Sequence, residues 1–340
     1  MANYYSSSYT KRRGKRRKLL SLTLTLLIIL GVKLVIHNYN PASSIGNDES
    51  KTPSTCSNRE DTVVISASET FKKPDLAPLP DITSLPKPLV SSDIEEVTAY
   101  LDTKPLQIIE ARDRLNQMLS SSVNENQHTF VKSQLSNLAQ KWLFSRTVFP
   151  NDKLCCIYKV KPGDRFKTIS DNCKVPYEIL MRINNITDPK KLRAGDNIKV
   201  INGPFHAKIY RSLFKMDLFL QDTFVSSFPV GLGKEGMETP TGIWLVKKGG
   251  KLISPIWTDP VTGKTYQADD PDYPLGARWI GLKGIEGAAK DRTGFAVHGT
   301  KSEQQIGMPQ SRGCIRLLNE DVILIYDLMM PGQSKIVITD

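Results

Sequence analysis

The sequence predicts a multidomain chain: an N-terminal transmembrane helix, a helical hairpin, a small βααβ module and a mainly-β domain at the C-terminal end. Three observations predict it. A basic run is followed at once by an apolar span; between Ile108 and Trp142 apolar residues recur three and four apart; after Pro204 the apolar period shortens to two, with glycine turns recurring. The 340 residues suit two or three domains, and 39% hydrophobic content is enough for real cores, which excludes a wholly disordered chain. Five cysteines in a chain this long are not a disulfide scaffold.

The charge is uneven. Lys and Arg number 46 against 35 Asp and Glu, a net +11, yet seven of the basic residues lie between Lys11 and Lys18 and leave +4 for the remainder. A high pI concentrated in one short tail argues against a nucleic-acid surface. Residues 1–18 read as a basic cytoplasmic tail. Residues 19–36 are apolar apart from Ser21, Thr23, Thr25, Gly31 and Lys33, the last close enough to the far end to snorkel. The span reads as an uncleaved signal-anchor at the cytoplasmic membrane, with the N-terminus inside and everything after the span outside, in the periplasm or cell-wall space. A cleaved signal peptide, cut near Ala42-Ser43-Ser44, is the competing reading.

Residues 37–92 carry Pro74, Pro78, Pro80, Pro86 and Pro88 amid Ser, Thr and Asp, the composition of an extended spacer. Residues 93–150 predict a helical hairpin. Ser92-Asp93-Ile94-Glu95 resembles a capping box; Ile108, Ala111, Leu115 and Met118 make one helical face, and Phe130, Val131, Leu135, Leu138 and Trp142 another. No chemistry is visible in either.

Residues 156–202 read β-α-α-β. Ile157, Tyr158 and Val160 begin a strand, Pro162-Gly163 turns it, Phe166 and Ile169 then Val175, Ile179, Leu180 and Ile183 mark two helices, and Leu192 to Val200 closes with a turn and a strand. This segment resembles a LysM domain: Tyr158-x-Val160-x-x-Gly163-Asp164 opens it and Leu192-x-x-Gly195-x-x-Ile198-x-Val200 ends it. It departs at Arg165-Phe166, where a small hydroxyl residue and Leu are usual. The resemblance implies binding of N-acetylglucosamine-containing glycan by two loops, through Gly163, Asp164, Arg165, Phe166, Asn184 and Asn185. A module that packs structurally and binds nothing strongly is the alternative. A disulfide from Cys173 to Cys155 or Cys156, leaving Cys56 unassigned, and a free-thiol module are both compatible with the sequence.

The chemistry lies in residues 204–340. Gly294-Phe295-Ala296-Val297-His298-Gly299-Thr300 is an apolar strand ending in a histidine, and sixteen residues after His298 comes Cys314, within Ser311-Arg312-Gly313-Cys314-Ile315-Arg316. One Cys and one His at element boundaries are the minimum for thiol catalysis: the imidazole takes the proton, and only the thiolate attacks a carbonyl. Backbone N–H groups around Gly313 and Cys314 are candidate oxyanion donors. His37, His128 and His206 are poor rivals by position, and no second ligand stands at metal spacing, so no metal or cofactor is expected.

The segment from Pro204 to Thr339 resembles the catalytic domain of YkuD-type L,D-transpeptidases. It carries the His-Gly-Thr and Ser-x-Gly-Cys-Ile-Arg signatures, with support from Val230-Gly231-Leu232-Gly233, Thr239-Pro240-Thr241-Gly242, Pro274-Leu275-Gly276, Arg278-Trp279 and Ile306-Gly307. The resemblance implies a peptidoglycan-cross-linking cysteine acyltransferase. Cys314 would be the nucleophile, His298 the proton donor and acceptor, Gly299 the carbonyl that orients His298, and Gly313 an oxyanion-hole backbone. Ser311, Arg316 and Trp279 would serve substrate binding, with Ser311 also supporting the Cys loop and Arg316 alternatively bracing it. Lys251 to Tyr273 would be a lid over the groove. Peptidoglycan stem peptides, the glycan and the membrane are the expected partners. Water or a protein amine in place of a second stem would instead give a carboxypeptidase or a protein-anchoring enzyme. A sortase-like arrangement fits poorly because Arg316 is only two residues from Cys314, and a non-catalytic wall anchor fits poorly with an intact Cys and His.

Overall fold

The computed structural model describes residues 107–120 and 125–340. The expected basic tail, signal-anchor, spacer and capping box lie outside them; among the described residues no helix is long and apolar enough to cross a membrane.

The hairpin forms as expected. Helix α1 (Ile108–Leu119) buries Ile108, Ala111 and Leu115, and α2 (Glu125–Trp142) buries Val131, Leu135, Leu138 and Trp142. One charged residue goes inside with them. Arg112 lies over the Trp142 ring at 4.5 Å and donates to Asp152 at 2.8 Å, so its charge is paired where water cannot reach it.

The small module also has its expected order. Strands β1 (Cys155–Lys159) and β2 (Asn197–Ile201) pair antiparallel, Cys155 opposite Ile201, and enclose helices α3 (Phe166–Cys173) and α4 (Tyr177–Ile183). Either staple through Cys173 is ruled out: Cys155 and Cys173 are buried free thiols, and Cys156 is disulfide-bonded. Burial pushes the two thiols up to about 12 and about 11, which keeps them protonated and inert. Val175, Ile179, Leu180 and Val200, all fully buried, fill the module without a crosslink from Cys173.

The C-terminal domain is built on an eight-stranded mixed sheet. Its strands are β3 (Phe205–Tyr210), β4 (Lys215–Leu220), β5 (Thr223–Pro229), β7 (Gly242–Ile253), β10 (Arg278–Glu286), β11 (Ala296–His298), β13 (Ile315–Arg316) and β14 (Lys335–Thr339), in the order β13-β11-β10-β7-β14-β3-β4-β5. Two short pairs stand apart: β6 (Leu232–Gly233) with β12 (Pro309–Ser311), and the hairpin β8 (Trp257–Thr258) with β9 (Thr265–Tyr266). A helix that the strand pattern did not announce, α5 (Asn319–Leu328), follows β13 and buries Val322, Leu324, Ile325 and Leu328. The chain thus reaches the sheet edge at β13 and returns through α5 to its middle at β14. That return puts the Cys motif beside the His strand.

Candidate active site

Register builds the site. Strand β11 pairs antiparallel with β10, Trp279 opposite His298, and parallel with β13, His298 opposite Arg316. Side chains directly opposite share a face, so Trp279, His298 and Arg316 form one row, and Cys314 immediately precedes β13. Two register pairs, Val297 with Ile315 and His298 with Arg316, thus set the Cys motif beside the strand that ends in His298.

His298 is only 4% exposed. Its Nδ1 lies 2.7 Å from the Gly299 carbonyl, which can only accept, so Nδ1 carries the proton and Nε2 is left with its lone pair. The Trp279 ring stacks on the imidazole, centroids 5.7 Å apart and planes 16° from parallel. The Trp279 ring, expected to serve substrate binding, thus covers one face of the imidazole. Burial first, with Arg316 adding to it, lowers the imidazole to about 4 against the pull of the Gly299 and Leu275 carbonyls. At neutral pH the ring is a neutral acceptor.

The Cys314 thiol is partly exposed and directed at the Gly294 carbonyl, 4.0 Å away. Burial raises its pKa, while the Ala296 amide and the Arg316 guanidinium oppose that rise. At neutral pH the two groups rest as a thiol and a neutral imidazole.

The Cys loop is fastened by Ser311. Its hydroxyl donates to the Cys314 carbonyl at 2.6 Å and accepts the Gly313 N–H at 3.1 Å. Ser311 is therefore a brace, and the Gly313 amide expected in the oxyanion hole is already engaged; of the two expected donors, the amide of Cys314 remains the candidate. Gly313 is required for another reason. Its φ of 108° suits glycine, and a Cβ would meet the Phe295 ring at 2.8 Å. Arg316 donates to Gln305 Oε1 at 2.5 Å, the bracing alternative, while its buried Nε has no hydrogen-bond partner.

Sequence reasoning missed Asn319, the first residue of α5. Its Nδ2 donates to the Thr300 carbonyl at 2.8 Å and its Oδ1 accepts from the Ala277 amide at 2.9 Å. A Cβ at Gly299 or at Gly276 would lie 2.2 Å from that Oδ1. Two motif glycines are thus cleared for one asparagine, which holds the backbone that carries the Gly299 carbonyl. The available signal was a polar helix-opening residue three positions after Arg316.

The expected lid is a real hairpin. Trp257 and Tyr266 stack across β8 and β9 at 5.9 Å. Asp259 accepts from the Val261 and Thr262 amides and, at 2.8 Å, from Arg312, two residues before Cys314. One carboxylate shapes the turn and ties it to the nucleophile loop.

In the small module a cavity of about 540 Å³ is lined by Asp164, Arg165, Phe166, Lys167, Tyr177, Pro189, Lys190 and Leu192. Of the expected glycan-binding residues, Asp164, Arg165 and Phe166 line it, while Asn184 and Asn185 do not. Asn184 is buried, donating to the Leu180 and Lys199 carbonyls and accepting from the Lys199 amide. Asn185 holds a left-handed φ of 57° that ends α4. Of the first loop, Gly163 turns the backbone at φ 86°, and Asp164 accepts from the Tyr158 hydroxyl and the Lys161 amide.

The site is a thiol on a loop tied to the β8–β9 hairpin and a buried neutral imidazole on the neighbouring strand. The particulars come from comparison. Residues 206–338 match the family model described as the L,D-transpeptidase catalytic domain, and residues 158–200 match the LysM domain. The Bacillus licheniformis protein YkuD, named as an L,D-transpeptidase, is 24% identical over 54% of this chain and 98% of its own. Its Bacillus subtilis namesake is 26% identical over 52% of this chain and 94% of its own. The structure of an L,D-transpeptidase from Mycobacterium smegmatis aligns at 15% identity and a TM-score of 0.31, over 43% of this chain and 64% of that one, a likeness too slight to carry weight.

Proposed function

We propose that the protein is a peptidoglycan L,D-transpeptidase, held at the cytoplasmic membrane by residues 19–36 and against glycan by its LysM domain. The observation that carries this reading is the His298–Arg316 pairing, which aligns Cys314 with a buried imidazole inside the segment matching the L,D-transpeptidase catalytic domain.

The Cys314 sulfur attacks the carbonyl of the third residue of a tetrapeptide stem, usually diaminopimelate, as its proton passes to His298 Nε2. The tetrahedral oxyanion is received by backbone amide at Cys314. It collapses with cleavage of the C–N bond, and His298 returns its proton to the leaving D-alanine amine. An amine of a second stem then attacks the thioester; its proton goes through His298 to the departing thiolate, which restores the resting pair. Water or a protein lysine at the second step would give hydrolysis or anchoring by the same sequence of transfers. The Arg316 charge favours thiolate over thiol at Cys314, and on His298 it disfavours the protonated ring, which speeds return of the proton to the leaving amine rather than its uptake.

The test is the chain from Asn40 onward incubated with disaccharide-tetrapeptide and followed by mass spectrometry, beside Cys314→Ala. A dimer formed with loss of one D-alanine, absent from the variant, supports transpeptidation. Tripeptide alone would redirect the proposal to hydrolysis.

A further inference from the structure

The two matched domains are separated by almost no chain. Strand β2 ends at Ile201 and β3 begins at Phe205, and the three residues between them are tied down. The Asn202 amide donates to the Leu154 carbonyl at 2.8 Å and its side chain to Lys153 at 2.9 Å. Gly203 donates to the Cys173 carbonyl at 2.8 Å, and a Cβ on it would lie 2.5 Å from the Lys174 carbonyl. From the other side, Gln221 of the catalytic domain reaches back to the Pro204 and Asn202 carbonyls.

Two further connections do not depend on the joint. Helix α4 meets α5 through an Arg182–Asp327 ion pair at 3.1 Å. Beside it, Glu178 acts electrostatically on Lys251 and Tyr326, whose ammonium and ring are stacked at 4.2 Å. The helical hairpin closes the triangle. Lys199 of β2, fully buried, donates to the Trp142, Ser145 and Thr147 carbonyls at 2.5, 2.9 and 2.8 Å, which fixes the end of α2 on the LysM sheet. On the catalytic domain, Lys132 of α2 pairs with the buried Asp217 at 2.7 Å and Asn116 of α1 accepts from the Phe224 amide at 3.0 Å. The apolar core runs without a break from Ile108 to Ile338. Domains joined by short polar contacts normally move against each other; here three separate connections oppose that motion.

We infer that the LysM cavity and Cys314 are held at a fixed separation, so that the preferred substrate is a glycan strand long enough to fill both at once. The LysM domain then gauges which stem along the strand is acylated. This rests on the function proposed above. Physically, a second site on a flexible tether raises local concentration over a range of spacings, whereas a rigid one rewards a single spacing and gives nothing at others.

The experiment uses the full-length chain and uncrosslinked glycan strands of defined length carrying tetrapeptide stems, with D-alanine release as the readout. The expected result is a step in kcat/KM of about tenfold or more at one strand length, flat below and above it. A gradual rise from the shortest strand upward, or equal kcat/KM at all lengths, would overturn the gauge. A second arm inserts eight Gly and Ser residues after Asn202 and is expected to smear the step into a slope; an unchanged step would overturn the proposal. A third arm measures binding of the same strands to Cys314→Ala. It must show the same step, and it separates the two readings: no D-alanine release from any strand sinks the proposed reaction, while a step in affinity keeps the gauge.

Discussion

The LysM domain and the catalytic domain each bury a basic nitrogen at their centre, and they treat it in opposite ways. In the LysM domain Lys199 is fully buried and all three of its donors meet backbone carbonyls. Its neighbour Asn184 is satisfied on both its oxygen and its nitrogen. In the catalytic domain His298 is nearly as buried, and the Gly299 carbonyl fixes the proton on Nδ1, so Nε2 keeps its lone pair. Arg316 beside it keeps a buried Nε without a partner. A buried polar group with every bond made holds a structure together; one with a bond left over is prepared to react.

The sharpest way to break that comparison is to remove each nitrogen. His298→Gln is expected to lower D-alanine release by about 10²–10⁴-fold, the usual worth of a general base, with little change in Tm at pH 7. Lys199→Met should do the reverse, costing about 3 kcal/mol or more because three buried carbonyls lose their donor, measured by urea denaturation. If Lys199→Met unfolded at the wild-type midpoint, the clamp between α2 and β2 would be structurally idle.

Asn319→Ala sharpens the same contrast one shell out. The freed Thr300 and Ala277 backbones would let the Gly299 carbonyl wander, and kcat is expected to fall about 10–100-fold with KM almost unchanged. An equal change in both would mean that Asn319 shapes the groove rather than the base.

Between pH 4 and pH 8 the pH dependence of stability follows from one buried base, His298, and one buried acid, Asp321. His298 is depressed from 6.5 to about 4, so the unfolded chain binds the extra proton between those values. Its contribution is present above pH 6.5 and is lost as pH falls toward 4, about 2 kcal/mol by pH 5. His298→Gln should lose less stability than wild type between pH 7 and pH 5. Asp321 is the mirror case. Burial raises it from 3.8 to about 7, so its contribution is present below 3.8 and lost as pH rises through 7. Asp321→Asn should therefore raise Tm at pH 8 and have little effect at pH 4, read by thermal denaturation at the two pH values.

What the sequence determined by itself was everything carried by local period and motif. The faces Ile108-Ala111-Leu115 and Val131-Leu135-Leu138-Trp142 follow from a repeat of 3.6, and the strands around Ala207, Ile209, Leu218 and Leu220 from a repeat of two. Cys314 and His298 were legible because their glycine-flanked motifs are local as well. Tertiary structure alone decided who meets whom. The Trp279 ring lies on His298 because of the β10–β11 register, and the Gly313 amide goes to Ser311 because the loop turns back on itself. Residues of the 189–192 turn line the LysM cavity, while Asn184 is turned inward onto Lys199. Lys199 reads as one more surface lysine until α2, more than fifty residues earlier, ends over it. Composition and spacing describe a side chain's own element; the partner that fixes its role arrives from a distant one, and only packing brings it there.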